Sequence, residues 1–309
     1  MNKLLIVGTV AFDAIQTPFG KTDKILGGAA TYIGISASNF KNIDSAIVSV
    51  VGGDFPQKYL DMLSDRKINI SGLEVIKDGK TFFWSGRYHN DMNSRDTLET
   101  QLNVLESFKP IVPENYKDAE IIMLGNLHPL VQLEVLNQMT KKPKLTVLDT
   151  MNFWMDCALE DLKKVISKID VITINDEEAR QLSKEYSLVK AAKVISKMGP
   201  KFVVIKKGEH GALLFNDDKI FFAPALPLEE VFDPTGAGDT FAGGFSGYLA
   251  STGDISFENM KRAIIHGSNL ASFCVEKFGT ERMNNLSNEE ISNRLTQFKE
   301  LTQFEIELT

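Results

Sequence analysis

Asp233-Pro234-Thr235-Gly236-Ala237-Gly238-Asp239-Thr240-Phe241-Ala242-Gly243-Gly244-Phe245 is a turn of small residues that runs straight into a helix. Gly236 and Gly238 can take backbone angles closed to other residues, and the first N–H groups of a helix have no intrahelical partner. Together with the positive end of the helix dipole, those groups favour a bound phosphate. Asp239 is out of place in such a turn, because a carboxylate there competes with an anion. It either caps the helix or stands ready to take a proton from whatever attacks the phosphate.

Upstream of this stretch, short apolar runs alternate with longer amphipathic ones, the pattern of a mostly parallel sheet with helices on both faces. Strands are predicted over 3–8, 45–51, 120–124, 144–148, 171–174 and 202–205, and helices over 29–39, 56–66, 130–140, 159–168, 176–184 and 188–198. A hairpin is expected across 212–215 and 220–222, followed by helices over 240–250, 257–277 and 288–301. Two segments, 13–26 and 70–105, break the alternation. They are expected to form a small β-sheet lid inserted in one domain spanning 1–309, or else an edge extension of the main sheet.

A chain of 309 residues can bury a sizeable core, and a net charge of -7 without any basic block argues against a nucleic-acid groove or an anionic membrane surface. The apolar run Leu4 to Phe12 is interrupted by Gly8 and Thr9 and reads as a buried first strand, not a signal segment. No stretch is long enough to span a bilayer as a helix. The two cysteines, Cys157 and Cys274, are far apart in sequence, so a disulfide scaffold is not expected and the cytoplasm is the expected compartment.

Several shorter features carry chemistry only in combination. Gly20-Lys21-Thr22 imitates the end of a P-loop, but Ile15 stands where that loop needs a glycine, and no Gly-x-Gly-x-x-Gly opens the first βα unit. Gly27-Gly28 precedes a helix and would let backbone approach a polar ligand. Asp13 lies past the carboxyl end of the first strand, where ligands of open α/β sheets bind, and a carboxylate there accepts hydrogen bonds from neighbouring hydroxyls. Asn175-Asp176-Glu177-Glu178 reads equally as a capping box and as a source of a Mg²⁺-directed carboxylate. Lys207-Gly208-Glu209-His210-Gly211 joins a strand to the hairpin through glycines that leave room for a flat ligand, as routine turns also do. The four histidines show no metal-ligand spacing.

Taken together and in this order, these residues resemble the PfkB (ribokinase-like) carbohydrate kinase family over essentially the whole chain. Residues 233–241 are similar to its second signature, and Asp13, Gly27-Gly28, Asn175-x-x-Glu178 and Lys207-Gly208-x-x-Gly211 follow the family's sequence of motifs. The resemblance implies a three-layer α/β/α core under a small β lid, and transfer of the γ-phosphoryl of ATP to a hydroxymethyl group of a sugar. Asp239 would be the general base, and the backbone amides of Gly236, Ala237 and Gly238 the anion hole. Asp13, Gly27 and Gly28 would hold the acceptor, while Lys207, Gly208, Gly211 and Asn175 would border the nucleotide. Glu178 would act on Mg²⁺ through water, and Asp233 on a monovalent cation such as K⁺. A nucleoside acceptor is the alternative, as is a sensor that binds without transferring phosphate. Tyr32 departs from the family, many sugar-kinase members having Asn there, and the aromatic lid residues Phe82, Phe83, Trp84 and Tyr88 suit either base stacking or lid packing. The expected partners are ATP and a small sugar or nucleoside, with a monomer or a homodimer formed through the lid.

Overall fold

The computed structural model describes residues 1–303; residues 304–309 of the expected domain lie outside the described part. In chain order the elements are β1 (Asn2–Val7), β2 (Ala11–Thr17), β3 (Gly20–Lys21), β4 (Ile25–Gly27), α1 (Ala29–Ala37), β5 (Ile43–Gly52), α2 (Gln57–Asp65), β6 (Ile68–Ile76), β7 (Phe83–Tyr88) and β8 (Arg95–Gln101). There follow β9 (Ile121–Leu124), α3 (Pro129–Asn137), β10 (Leu145–Asp149), α4 (Asn152–Cys157), α5 (Leu159–Ile166), β11 (Val171–Asn175), α6 (Asp176–Ser183), α7 (Leu188–Ser196) and β12 (Phe202–Lys206). The chain continues through β13 (Ala212–Asn216), β14 (Lys219–Ala223), α8 (Ala237–Thr252), α9 (Phe257–Cys274), α10 (Glu281–Asn284) and α11 (Asn288–Thr302).

Nine strands form one sheet in the order β14-β13-β12-β11-β10-β9-β1-β5-β6, parallel except at the β12–β13–β14 end. The buried strands read as near-continuous apolar runs because both faces are covered, which is what a parallel sheet requires. Alternate strand residues serve opposite cores. Leu4 and Ile6 of β1 join α1, α8 and α9 on one face, and Leu5 and Val7 join α5 and α7 on the other. Strand order reverses between β1 and β9, so a crevice opens beyond their carboxyl ends.

Helix α8 closes that crevice from one side. Its apolar face alone does not explain how tightly it sits; a β-carbon on Gly243 would collide with the carbonyl of Ile33 in α1. The glycine therefore lets the two helix backbones approach, and Ser36 Oγ donates to the Thr240 carbonyl across the contact at 2.6 Å. The helix starts at Ala237, three residues before the expected Thr240, which puts Asp239 inside its first turn.

The second sheet has the order β3-β2-β7-β8, with β4 pairing β2. The expected lid boundary at residue 70 is displaced: residues 68–76 are β6, the edge strand of the large sheet, paired parallel with β5. An edge strand with one covered face alternates in the same way as a lid strand, so the sequence pattern does not say which sheet receives it. Register then fixes the face that looks into the crevice. Asp13 pairs with Trp84 and Tyr88 with Arg95, so Asp13, Trp84, Tyr88 and Arg95 share one face of the small sheet.

Candidate active site

The crevice is built from strand ends and one helix start. Gly236 adopts φ 75° as the N-cap of α8, a conformation that favours glycine. Ala237 N–H donates to the Pro234 carbonyl at 3.1 Å and Thr240 N–H to the Gly236 carbonyl at 2.7 Å. The expected anion hole changes accordingly. The Ala237 amide is taken by the turn, while among the described residues the amides of Gly236, Gly238 and Asp239 have no hydrogen-bond acceptor.

Asp239 stands in this first turn beside those free donors, surrounded by protein yet still open to the crevice. Burial raises its pKa to about 7, the Asp149 carboxylate adds to the rise, and Lys206 and Arg95 oppose it. A carboxyl group at that value is poised to exchange protons near neutrality.

Asn175 and Glu178 form a full capping box at the start of α6: Glu178 N–H donates to Asn175 Oδ1 and Asn175 N–H to Glu178 Oε2, both at 2.8 Å. The box uses only one carboxylate oxygen of Glu178 and leaves the other without a hydrogen bond among the described residues. Glu178 is 6% exposed, and burial lifts its pKa to about 7, with Lys206 pulling down and Asp149 pushing up.

Two residues absent from the sequence-based site complete this end. Asp149 terminates β10 and Lys206 terminates β12, and the ammonium donates to Asp149 Oδ2 at 2.6 Å. Burial works against a charged Lys206, but Asp149, Glu178 and Asp239 outweigh it and its pKa is raised. A charged residue ending an apolar strand at the carboxyl edge of the sheet is the signal that would have found both. Lys207, the expected residue, instead holds its ammonium 6.0 Å from the Phe222 ring, over the β13–β14 hairpin. Gly208 and Gly211 both have positive φ, and the lid residue Asn93 lies against Gly208.

The other end of the crevice gathers Asp13, Gly27, Gly28, Tyr32 and Asp233. Asp13 is 4% exposed; burial raises its pKa to about 7, Asp233 contributes, and the Gly28 amide opposes. A β-carbon on Gly27 would strike the Asp13 carboxylate, and Gly28 at φ 92° docks α1 against Thr9. Asp233 accepts from Thr235 N–H at 2.9 Å and from Gly279 N–H at 2.8 Å, so each oxygen is engaged by backbone. Tyr32 packs its ring over Gly236 and is 2% exposed. Its hydroxyl has no hydrogen-bond partner among the described residues, and burial, followed by the charges of Asp13 and Asp233, pushes its pKa up.

From the lid, Tyr88 reaches Thr235 Oγ1 at 3.3 Å and so ties the small sheet to the 233–245 motif. Arg95 lies 5.8 Å from the Trp84 ring centroid, near enough to Glu178 and Asp239 to lower the pKa of each. Among the described residues no three His, Cys, Asp or Glu side chains converge to hold a metal, and no helix is long and apolar enough to cross a membrane.

An α/β crevice with unbonded helix amides, a poised carboxyl and a covering β lid defines a phosphotransferase acting on small molecules. The chain belongs to the pfkB family of carbohydrate kinases, whose sequence profile matches residues 1–286; it is an ATP-dependent kinase. It is similar to the cytidine kinase of Thermococcus kodakarensis, 32% identical over 255 residues, which are 80% of this chain and 89% of that one. Its fold is ribokinase-like. It matches the Burkholderia thailandensis nucleoside kinase in complex with inosine at TM-score 0.75 and 20% identity, covering 95% of this chain and 98% of that one. It matches the Arabidopsis thaliana ribokinase complexed with ribose and ATP at TM-score 0.76 and 18% identity, with the same coverage of 95% and 98%.

Proposed function

We propose that the protein transfers the γ-phosphoryl of ATP to the hydroxymethyl group of a ribosyl acceptor, a nucleoside in the first instance. The observation that carries the reading is that Asp239, beside unbonded amides, and Asp13 belong to the same crevice: the charge of Asp239 is felt at Asp13 and at Tyr32, whose ring lies over Gly236. Asp13 accepts hydrogen bonds from ribose hydroxyls and so aims the hydroxymethyl group at Asp239. Asp239 takes the proton as the hydroxyl attacks. The Gly236, Gly238 and Asp239 amides hold the phosphoryl oxygens, and the lid excludes water.

The residues present fit a Mg²⁺ ion that arrives on the phosphates. Glu178 Oε1 and Asp149 Oδ1 have no protein hydrogen-bond partner among the described residues, and carboxylate oxygens with water are the donors Mg²⁺ takes. The ion would neutralise charge on the transferring group. Activation by K⁺ beside Asp233 is the finer expectation, checked by exchanging K⁺ for Na⁺ in the assay. The two cysteines are free, Cys157 exposed and Cys274 buried, which supports a reducing compartment such as the cytoplasm.

The nucleoside reading is favoured over a free sugar by the cytidine kinase relative and by Trp84, which is partly exposed on the crevice face of the lid and presents a ring for a base. A free sugar is the second reading, supported by Asp13, which serves hydroxyls of either acceptor. The test is acceptor-dependent ADP formation across a panel of pyrimidine and purine nucleosides, ribose and hexoses. The expected result is one or more nucleosides turned over at least tenfold more efficiently than any free sugar. ADP release with none of them would leave the non-catalytic sensor reading standing.

A further inference from the structure

We propose that Lys206 is a further catalytic residue: its ammonium, held by Asp149 at the mouth of β12, contacts the γ-phosphoryl beside the Gly238 amide. The inference rests on the kinase reading above and adds a residue to it.

Two observations converge on this ammonium. It lies 2.6 Å from Asp149 Oδ2, and a β-carbon built on Gly238 would stand only 3.1 Å from it. The charge therefore sits against a backbone segment whose Gly236, Gly238 and Asp239 amides have no acceptor among the described residues. Secondly, the pair is not sealed: the side chains retain 16% exposure for Lys206 and 9% for Asp149. A purely structural buried ion pair tends to have its remaining protons and lone pairs satisfied, whereas among the described residues Lys206 has a single hydrogen-bond acceptor for its three N–H groups.

The chemistry then distributes as follows. The acceptor oxygen forms a bond to the γ-phosphorus as the bond from that phosphorus to the β,γ-bridging oxygen breaks. The hydroxyl proton passes to Asp239, and the electron pair of the broken bond stays on ADP. Lys206 neither gains nor loses a proton; it remains a fixed cation on the oxygens of the group in flight. Asp149 orients it. Fixed donors aimed at developing charge are the largest common source of enzymatic rate enhancement.

Three variants decide the question: Lys206→Met, Asp149→Asn, and the double Asp149→Asn/Lys206→Met, which leaves no uncompensated carboxylate at this position if the single Lys206 variant fails to fold. Calorimetric titration with Mg²⁺-ADP and with the Mg²⁺ complex of the β,γ-imido analogue of ATP reads the contact without turnover. The parent is expected to prefer the analogue over ADP, and the double variant to lose about tenfold of the preference that Asp149→Asn retains, with the ADP affinities of these two Asp149 variants within about threefold of each other. Turnover is expected to fall by about 10² to 10³ in both variants lacking Lys206. A double variant that keeps both the preference and turnover within about threefold of Asp149→Asn would overturn the proposal and leave Lys206 as a structural partner of Asp149. A parent that binds the analogue but phosphorylates nothing fails the kinase reading instead, and the binding preference still decides the lysine.

Discussion

The two ends of the crevice manage buried charge differently. At the phosphate end, Asp149, Glu178 and Asp239 share the ammonium of Lys206, with Arg95 overhead. At the proposed acceptor end, Asp13 and Asp233 have backbone N–H groups and a Tyr32 hydroxyl without a partner among the described residues, and no lysine or arginine figures among the groups that shift Asp13. A fixed cation and free amides suit the first end to ions, as the proposed phosphate site requires. Buried carboxylates without counter-charge suit the second to neutral hydroxyls, as the proposed acceptor site requires. The difference teaches where each kind of substitution should act.

Replacing Asp239 by Asn should do most to break the contrast, because it removes the base at the junction of the two ends. Turnover should fall by about 10² to 10⁴, with ATP affinity by calorimetry within about threefold of the parent. Parental turnover in that variant would sink the assignment. In the parent, the base must be ionised, so acceptor-dependent kcat/KM should rise with pH up to the value of about 7 held by Asp239 and then level. A profile flat from pH 5.5 to 8.5 would point to another base.

Asp13→Asn should separate the ends. A site that hydrogen-bonds a substrate hydroxyl loses much when the acceptor of that bond is changed, so acceptor kcat/KM should drop by about 10² while nucleotide affinity holds. Equal losses for acceptor and nucleotide in separate titrations would mean that Asp13 supports the whole crevice. Trp84→Ala is a smaller and more selective change: base stacking is worth about 1–3 kcal/mol, so nucleosides should lose roughly tenfold or more in kcat/KM and free sugars should be unaffected. Matching losses for both would remove the case for a base on Trp84.

The smallest expected effect is on stability. Asp13, Glu178 and Asp239 each have a folded pKa of about 7, above the unfolded value of about 4. Their contribution is fully present below about pH 4 and is lost as pH rises through 7. The gain from Asp239→Asn should therefore be larger at pH 8 than at pH 5, reaching about 1–2 kcal/mol by urea denaturation. A gain independent of pH would show that the carboxyl is not held protonated by the fold.

Much of this arrangement was legible in the chain itself. The alternation of apolar and amphipathic runs reports a parallel sheet covered on both faces, and Asp233 to Phe245 reports a glycine-led helix start with a carboxylate in its first turn, because both signals are local. Asn175 and Glu178 are three residues apart, so the capping box is local too. Asp149 and Lys206 were missed because a charge at the end of an apolar strand, though a signal, names no partner; the two meet only when β10 and β12 flank β11 in one sheet. Which of two adjacent lysines enters the crevice depends on where β12 ends: Lys206 is its last residue, and Lys207 begins the turn toward the hairpin. The same holds for the lid, where Trp84, Tyr88 and Arg95 share the face of Asp13 only through the register of β2, β7 and β8. The sequence by itself determined the layers, the glycine-led turn into α8 and its carboxylate, since these depend on neighbours along the chain. Only the tertiary structure decided which charges the turn confronts, because pairing across the sheet brings together residues that no local pattern connects.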